Sequence, residues 1–282
     1  MNIDTFIILK GGSCSQIERL TTKKGKWKSI HFPALFFLIK HPSKGYLLMD
    51  TGYASHFLHE TKKFPYSFYA KTTPLSFSKE ESALEQLGKL GIQPTDIQYV
   101  FISHFHADHI AGLRDFSSAT FICSKKAYNF LLDKKGIFAL KHAFIPALLP
   151  KDFHERVLFI EDFPLATRIK NSSFVRFFPT IYDLFGDGTL LSVDLSGHAI
   201  GQFGLFFQHE KKDIFLIADA SWDSDSVRHY TFPSKLAELI LYDVTLFKNT
   251  LYAIHQFHQF SPDTLIIPSH CREIPISERT LP

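Results

Sequence analysis

Apolar residues along this chain fall into short runs that have the length of buried strands. The first run covers residues 6–9 and is followed by Gly11 and Gly12. The next two runs, 34–39 and 46–49, lie on either side of a Ser-Lys-Gly turn, an arrangement that predicts a β-hairpin. Further strands are predicted at 97–103, 120–123, 173–178, 189–195, 203–208, 214–219 and 264–270. Strands therefore account for most of the predicted core.

Helical patterns alternate with these strands. Ser78 precedes apolar residues at helical spacing, and Glu81 follows three positions later, which predicts a capping box at the start of a helix ending near Gly91. Two more helices are predicted over 125–134 and 234–260. Residues 53–77 are aromatic and irregular, so we expect a surface excursion with short helical pieces. Strands that alternate with helices indicate an α/β protein, and no linker divides the chain, so one domain is expected over 1–282.

The composition is that of a globular protein, with 45% apolar and 21% charged residues among 282. A net charge of +3, evenly spread, argues against a nucleic-acid partner. Cys14, Cys123 and Cys271 do not have the spacing of a disulfide framework, which favours a reducing, cytoplasmic compartment. The N-terminus lacks the basic region of a signal peptide. No apolar stretch approaches the ~20 residues of a membrane span, so none is expected.

The strongest chemical signal is a cluster of ligand-type residues that follows the strand predicted at 97–103. His104 and His106 alternate on an extended segment, so their side chains point the same way and can reach one metal ion. Asp108 and His109 lie where the chain turns, and they can face a second metal beside the first. Imidazole and carboxylate ligands suit zinc, with iron, manganese and cobalt as alternatives.

Three more ligand candidates lie farther along the chain. His198 follows Gly197, whereas Asp219 and His270 each end an apolar strand. Side chains at strand ends converge on one crevice in α/β proteins, and a two-metal site needs ligands beyond the first cluster. For Asp219 the alternative is a turn or helix cap, and for an isolated histidine it is an ordinary surface position.

Together these motifs resemble the metallo-β-lactamase superfamily in order and spacing over nearly the whole chain. The matching positions are Asp50-Thr51-Gly52, His104, His106, Asp108, His109, His198, Asp219 and His270. The resemblance implies an αββα sandwich of two mixed sheets flanked by helices. It also implies that His104, His106 and His198 hold one metal, that Asp108, His109 and His270 hold the other, and that Asp219 bridges them. Asp50 is implied to support the ligands from outside.

Two metals of this kind make hydroxide available to attack a carbonyl or phosphoryl centre. Asp108 is then both a ligand and a candidate proton shuttle to the leaving atom. This chemistry serves lactones, thioesters, β-lactams and phosphodiesters alike, so the motif indicates the reaction class more strongly than the substrate.

Residues 217–222 are similar to the corresponding segment of the N-acyl-homoserine lactonases. Those enzymes typically carry a tyrosine that binds the substrate carbonyl, where this chain has Trp222. An indole is bulkier and is a donor only, so Trp222 either contacts the substrate differently or simply packs. The apolar segment 136–165, with Phe138, Phe144 and Leu148, is a candidate substrate wall, and core packing is the alternative.

Our leading hypothesis is a binuclear hydrolase that opens a small-molecule ester-type bond, first of all a lactone. A thioester hydrolase of the glyoxalase II-like branch, a phosphodiesterase, and a non-catalytic ligand-binding regulator that retains the metals are the alternatives. A purely structural metal site is disfavoured because such sites are usually closed and rich in cysteine. The helix predicted over 234–260 leaves a homodimer open.

Overall fold

The structure is a computed structural model that describes residues 2–23, 25–167 and 174–276. The first of its two sheets contains β1 (Thr5–Ile17), β2 (Ser29–His41), β3 (Gly45–Met49), β4 (Leu75–Ser76), β5 (Ile97–Phe101), β6 (Thr120–Cys123) and β7 (Val157–Phe159). These strands lie in the order β4-β1-β2-β3-β5-β6-β7. Strands β3, β5, β6 and β7 run parallel, whereas β4, β1, β2 and β3 pair antiparallel.

The second sheet contains β8 (Ile181–Asp183), β9 (Leu190–Asp194), β10 (Phe203–His209), β11 (Lys212–Ala218) and β12 (Leu265–Pro268). These strands lie in the order β12-β11-β10-β9-β8. Only the β11–β12 pair is parallel among the strand pairs of this sheet in the described residues. Parallel pairing places Ala218, at the end of β11, beside Pro268, at the end of β12. The residues that follow these two strands therefore emerge at the same edge.

Helices cover the outer faces of both sheets. They are α1 (Glu18–Thr21), α2 (Ser55–Glu60), α3 (Tyr66–Thr72), α4 (Ala83–Lys89), α5 (Ala107–Ile110), α6 (Lys125–Leu131), α7 (Gly136–Leu140), α8 (Phe174–Phe177), α9 (Ser224–His229) and α10 (Val244–Phe260). Short 3-10 turns cover Lys79–Glu81, Pro94–Asp96, Leu113–Asp115, Pro146–Leu148, Phe153–Glu155, Ile160–Asp162 and Ala237–Ile240. In the part of the chain described, no helix combines the length and apolar character needed to cross a bilayer.

Strand β2 shows how the layers are held together, because both of its faces are buried. Phe37 points into the core between the two sheets, where it joins residues such as Phe207 and Leu216 of the second sheet. Phe36 and Leu38, the alternate residues, point into the core beneath the helices of the first sheet. A strand buried on both faces has a continuous apolar run, as β2 does. The predicted αββα sandwich is confirmed.

Many of the 30 phenylalanines fill the core of this sandwich. Phe206 and Phe215 of the second sheet pack against Phe174 of α8 and Phe257 of α10. All four rings are buried. Burying a side chain of this size contributes roughly 1.5–3 kcal/mol, so the cluster is a main attachment of these helices to the sheet.

The predicted hairpin is confirmed, with β2 and β3 paired antiparallel across the turn at 42–44. The excursion over 53–77 contains the short helices α2 and α3, as expected. Strand β1 was predicted to end before Gly11, but it continues to Ile17, and its register with β2 shifts between Lys10 and Ser13. The two glycines make an irregularity inside the strand rather than its end.

The capping box predicted at Ser78 starts a different element from the one expected. The Glu81 carboxylate accepts a hydrogen bond of 2.9 Å from the Ser78 backbone N–H, but this contact closes a 3-10 turn. The helix itself begins at Ala83, where the Ser82 hydroxyl accepts from the Glu85 N–H. Ser78 and Ser82 are each followed three positions later by a glutamate, so the sequence offers the same capping signal at both places and does not decide between them.

Two other element predictions were wrong. The strand predicted at 173–178 is helical over Phe174–Phe177, and residue 173 lies outside the described residues. A short segment with mostly apolar residues fits either a buried strand or one helical turn, and packing against α10 decides between them here. The long helix predicted over 234–260 begins only at Val244, where the Asp243 carboxylate accepts from the Leu246 N–H. That side-chain cap satisfies one of the free backbone N–H groups of the first turn.

Candidate metal centre

The structure brings together all seven residues that the sequence predicts as metal ligands. They form two groups, His104, His106, His198 and Asp219 in the first, and Asp108, His109 and His270 in the second. Within each group one potential ligand atom per residue lies within 4.8 Å of the others. Residues separated by more than 160 positions meet because they follow strands that end at the same edge of the sandwich.

Asp50 organises the loop between β5 and α5. Its carboxylate is fully buried and accepts hydrogen bonds from the Ser103 N–H at 2.8 Å and the Ser103 hydroxyl at 2.7 Å. It also accepts one from His109 Nδ1 at 2.7 Å. Because the Ser103 hydroxyl gives its hydrogen to Asp50, the His104 Nδ1–H donates to the Ser103 oxygen, 3.0 Å away. Both histidines therefore turn Nε2 toward the centre, the atom with which each would bind a metal ion.

Thr51 attaches α5 to the strand that carries Asp50. Its hydroxyl donates to the His109 carbonyl at 3.0 Å and accepts from the Gly112 N–H at 2.9 Å. The next residue, Gly52, has φ +63°, and a Cβ atom there would lie 2.7 Å from the Cα atom of Gly11. The Asp-Thr-Gly motif thus combines a support for His109 with a close backbone approach that only glycine allows.

Asp219 lies between the two groups. Its Oδ2 atom is 3.2 Å from His198 Nε2 and 3.1 Å from His270 Nε2, whereas its Oδ1 atom is 3.4 Å from His109 Nε2. The ring of His270 is fixed by a hydrogen bond of 2.7 Å from Nδ1 to the Pro33 carbonyl. One carboxylate therefore reaches ligand atoms of both groups.

Unsatisfied buried atoms show that these residues fit metal ions. His104 Nε2, His109 Nε2 and Asp219 Oδ1 are buried at the centre without a hydrogen-bond partner in the described part of the chain. An unpartnered buried polar atom costs roughly 1–3 kcal/mol, which a metal–ligand bond would remove. Five imidazoles beside acidic groups are a donor set typical of zinc and of similar divalent metals.

Burial and neighbouring carboxylates together set the charge of the histidines in the centre. Burial lowers the pKa of His106 and of His198 to about 3, so both imidazoles stay neutral, the form that binds a metal. Burial also acts to lower the pKa of His109. The carboxylates of Asp50, Asp108 and Asp219 outweigh this effect and raise the pKa of His109 to about 10. The carboxylates that favour a positive charge on His109 would equally favour a metal cation at this place.

A cavity of about 680 Å³ opens directly over this centre. Its floor consists of His106, Asp108, His198, Asp219 and His270. Its walls are mainly apolar and include Leu20, Phe32, Phe68, Ile137, Leu140 and Ile240. A deep apolar cavity with a few polar groups at its base is the usual form of a small-molecule site.

Trp222 lines the cavity, as the sequence suggested for a substrate contact. Its ring meets His198 edge-to-face, with centroids 5.9 Å apart and an interplanar angle of 88°. The other three predicted substrate contacts lie elsewhere. Phe144 and Leu148 are buried in the core beneath the first sheet, whereas Phe138 is 67% exposed and does not line the cavity. Their neighbours Ile137, Leu140 and Ala143 line it instead.

Two tyrosines in the cavity were not identified from the sequence. Tyr53 and Tyr69 belong to the aromatic segment 53–77, which carried no metal-ligand pattern. Burial, with a contribution from Asp108, raises the pKa of both phenols well above their usual range, so each keeps its O–H. The excess of aromatic residues in that segment was the one available signal.

The chain matches a known family over most of its length. The family profile described as the metallo-beta-lactamase superfamily matches residues 31–240, which include His104 through Asp219. The chain belongs to this superfamily. Both the family and the fold expected from the motifs are thereby confirmed.

Within the metallo-beta-lactamase superfamily, the chain resembles proteins named as lactonases. It is 27% identical over 250 residues to the N-acyl homoserine lactonase AttM of Azorhizobium caulinodans, a match that covers 85% of this chain and 84% of the relative. It is 26% identical over 247 residues to the AttM protein of Agrobacterium fabrum, again with 85% and 84% covered.

Solved structures of the same fold include an N-acyl homoserine lactone hydrolase with N-hexanoyl-L-homoserine bound at its catalytic metal centre. The TM-score is 0.75 at 18% identity, and all of both chains is covered. AidC, a dizinc quorum-quenching lactonase, has a TM-score of 0.62 at 17% identity, with 95% of this chain and 87% of AidC covered. At these identities the likeness establishes the fold.

Proposed function

We propose that this protein is a metal-dependent hydrolase that opens the ester bond of a lactone, with N-acyl homoserine lactones as the substrate class. The observation that carries the proposal is the position of Asp219 between two ligand groups at the floor of an apolar cavity. The relatives named AttM support the substrate class, since the match covers more than four-fifths of each chain.

In this proposal His104, His106 and His198 hold one metal, and Asp108, His109 and His270 hold the second. Asp219, whose oxygens lie near ligand atoms of both groups, would contribute to both sites, and zinc is the first candidate metal because of the imidazole-rich ligand set. When bound, two such metals supply an activated water and a Lewis acid for the carbonyl oxygen. Asp50 keeps the Nε2 atom of His109 directed toward its metal.

Asp108 has a second role in the proposed reaction. It lines the cavity, and its Oδ2 atom lies 3.5 Å from His270 Nε2. A carboxylate at this place can carry a proton to the alcohol oxygen that leaves when the ring opens. We therefore assign the proton transfer to Asp108.

Trp222 and Tyr69 are proposed to orient the substrate. The indole offers one N–H donor beside His198, and Tyr69 offers a phenolic O–H from another part of the cavity wall. Each can hydrogen-bond a carbonyl oxygen of an acylated lactone. The apolar walls suit the acyl chain and exclude water around it.

We also propose the cytoplasm as the compartment. Cys14, Cys123 and Cys271 are all free and buried in the structure. Unpaired thiols are typical of proteins kept in reducing surroundings.

The deciding experiment is hydrolysis of a substrate panel by purified protein of measured metal content. The panel comprises acyl-homoserine lactones of several chain lengths, simple lactones, S-acyl thioesters, nitrocefin and bis-p-nitrophenyl phosphate. We expect lactone turnover at about two metals per chain. His106→Ala should lower the metal content, and Asp108→Asn should lower the rate by at least about 100-fold.

The matched control is His154→Ala, which removes an exposed histidine away from the centre and should leave both quantities unchanged. Full metal content with turnover of thioester or phosphodiester alone would replace the lactone proposal by the corresponding alternative. Full metal content without any turnover would favour a ligand-binding protein.

A further inference from the structure

The mouth of the cavity is surrounded by apolar side chains that face solvent. We call this surface the rim and define it as residues 62–72, 133–141 and 235–240. Phe64 is 78% exposed and Leu239 is 77% exposed, and Phe68, Ile137, Leu236 and Ile240 are each more than half exposed. Large apolar residues that cluster at the surface usually mark an interaction site.

The three segments form one continuous surface. The Gly136 N–H at the start of α7 donates to the Tyr66 hydroxyl of α3 at 3.1 Å. Ile137 of α7 lines the same cavity as Leu236 and Ile240. The rim therefore encloses the cavity entrance on several sides.

Positive charge is concentrated on the rim. Its segments contain seven lysines and only two acidic residues, whereas the whole chain has 31 basic and 28 acidic residues. Lys235 is paired with Glu238 at 2.9 Å. The other six, Lys62, Lys63, Lys71, Lys134, Lys135 and Lys141, have no ion-pair partner within the described ranges. These lysines are therefore available to bind an external anion.

We infer that the rim is a docking surface for an anionic lipid bilayer. Apolar side chains flanked by lysines match the two layers of such a surface, since the apolar tips enter the acyl boundary and the lysines meet the anionic headgroups. Long lysine side chains can also lie along apolar surface while their ammonium groups reach outward. Lys134 Nζ makes a cation–π contact with Phe130, 3.8 Å from the ring centroid, so this side chain already lies against an aromatic surface.

Charge disfavours a second copy of this chain as the occupant. A two-fold symmetric dimer brings the same patch of both copies together, so the unpaired lysines would face each other. An anionic bilayer instead supplies the missing counter-charge. Docking through the rim places the cavity entrance against the lipid, so an apolar molecule dissolved in the bilayer reaches the metal centre without crossing water. This inference goes beyond the proposed reaction and does not depend on the substrate.

The test is co-sedimentation of the full-length protein with phosphatidylcholine vesicles, with and without phosphatidylglycerol. We expect binding to the vesicles that contain phosphatidylglycerol, and we expect it to weaken as salt is added. Each lysine near an anionic surface contributes about fivefold to partitioning, so Lys62→Glu with Lys63→Glu should reduce it by at least about 20-fold. Phe64→Ser with Leu239→Ser should abolish the binding that persists at high salt.

The control is Lys211→Glu with Lys212→Glu, a matched charge reversal on the β10–β11 turn, at the opposite end of β11 from Asp219. It should keep nearly full vesicle binding. Turnover of a soluble short-chain lactone without vesicles is measured in every variant, so a failed lactonase proposal is distinguished from a failed docking proposal. Absence of binding to anionic vesicles at low salt, equal loss in the control, or a dimer that only the rim variants dissociate would overturn the inference.

Discussion

The Nδ1 atom of His109 lies 2.7 Å from the Oδ2 atom of Asp50, and both side chains are buried. Asp50 has a φ of 61°, a left-handed conformation that is uncommon for a residue other than glycine. Asparagine and aspartate tolerate this conformation best among the non-glycine residues. Position 50 therefore requires a residue that tolerates the left-handed conformation and that carries a negative charge. Substitutions can separate these two requirements.

Asp50→Asn keeps the shape and the backbone preference but removes the charge. We expect the fold to persist and metal affinity to fall about 10–100-fold, as for the loss of other partners of ligating histidines. Asp50→Ala also leaves the Ser103 donors unsatisfied, so it should cost about 3 kcal/mol or more of unfolding free energy. Chelator competition and denaturant unfolding measure the two effects. Equal metal affinity in wild type and Asp50→Asn would contradict the assigned role.

Alanine substitutions at Gly197 and Gly88 should have opposite effects on stability. A Cβ atom there would lie 2.4 Å from the Phe247 backbone, and its φ is +140°. Gly197→Ala should therefore cost about 3 kcal/mol or more and displace the adjacent His198. Gly88→Ala, within α4 and with open space around the new methyl group, should stabilise the protein by about 0.5–1 kcal/mol. Denaturant unfolding of both variants provides the test, and a neutral Gly197→Ala would show that the loop adjusts freely.

Trp222 allows substrate binding and packing to be separated. Trp222→Phe removes the N–H donor but retains a large ring, so kcat/KM for the lactone should fall about tenfold while stability changes little. Trp222→Ala should in addition lower stability by about 3 kcal/mol, since it leaves space beside His198. If Trp222→Phe retains full kcat/KM, the indole N–H does not bind the substrate and packing is its role.

We expect His41 to cause part of the loss of stability at acidic pH. Its ring is buried between the sheets and a loop, with Nδ1 accepting the Ser43 and Lys44 N–H groups and Nε2 lying 3.2 Å from Asp187. Burial lowers the pKa of His41, although Asp187 and Asp4 oppose this and Lys44 adds to it. The unfolded chain therefore takes up this proton first as the pH falls below about 6.5, and stability decreases.

The stabilising effect of a neutral His41 is fully present above about pH 6.5 and is lost on acidification toward the lowered pKa. His41→Asn should thus show a shallower fall of unfolding free energy between about pH 6.5 and pH 5. His154→Asn, at an exposed position, serves as the control and should follow the wild type. A variant with the same slope as the wild type would show that His41 does not carry this dependence.

Local sequence patterns gave a wrong prediction where a short segment could form either a strand or a helix. A strand was predicted at 173–178, but residues 174–177 form a helix, because a segment this short has no distinguishable period and its contacts with Phe206 and Phe257 decide the outcome. The hairpin of β2 and β3 was predicted correctly because two apolar runs, 34–39 and 46–49, lie on either side of a clear turn signal.

The sequence alone determined the family and the residues that could act as metal ligands. Ligand-type residues after apolar strands are rare by chance, and their order from Asp50 to His270 specifies both the sandwich and the edge where the ligands meet. It determined these because the ends of the strands dictate which residues meet at one edge, and because metal ligands are few in kind.

Only the tertiary structure decided which side chains surround the cavity. Phe144 and Leu148 are buried in the core, while Tyr69 and Ile137, from equally apolar segments, line the cavity. Short aperiodic segments have no repeat that fixes which side faces inward, so packing against the sheet orients each residue. The same holds for the rim, whose lysines and exposed rings become one surface only when three distant segments fold together around the cavity entrance.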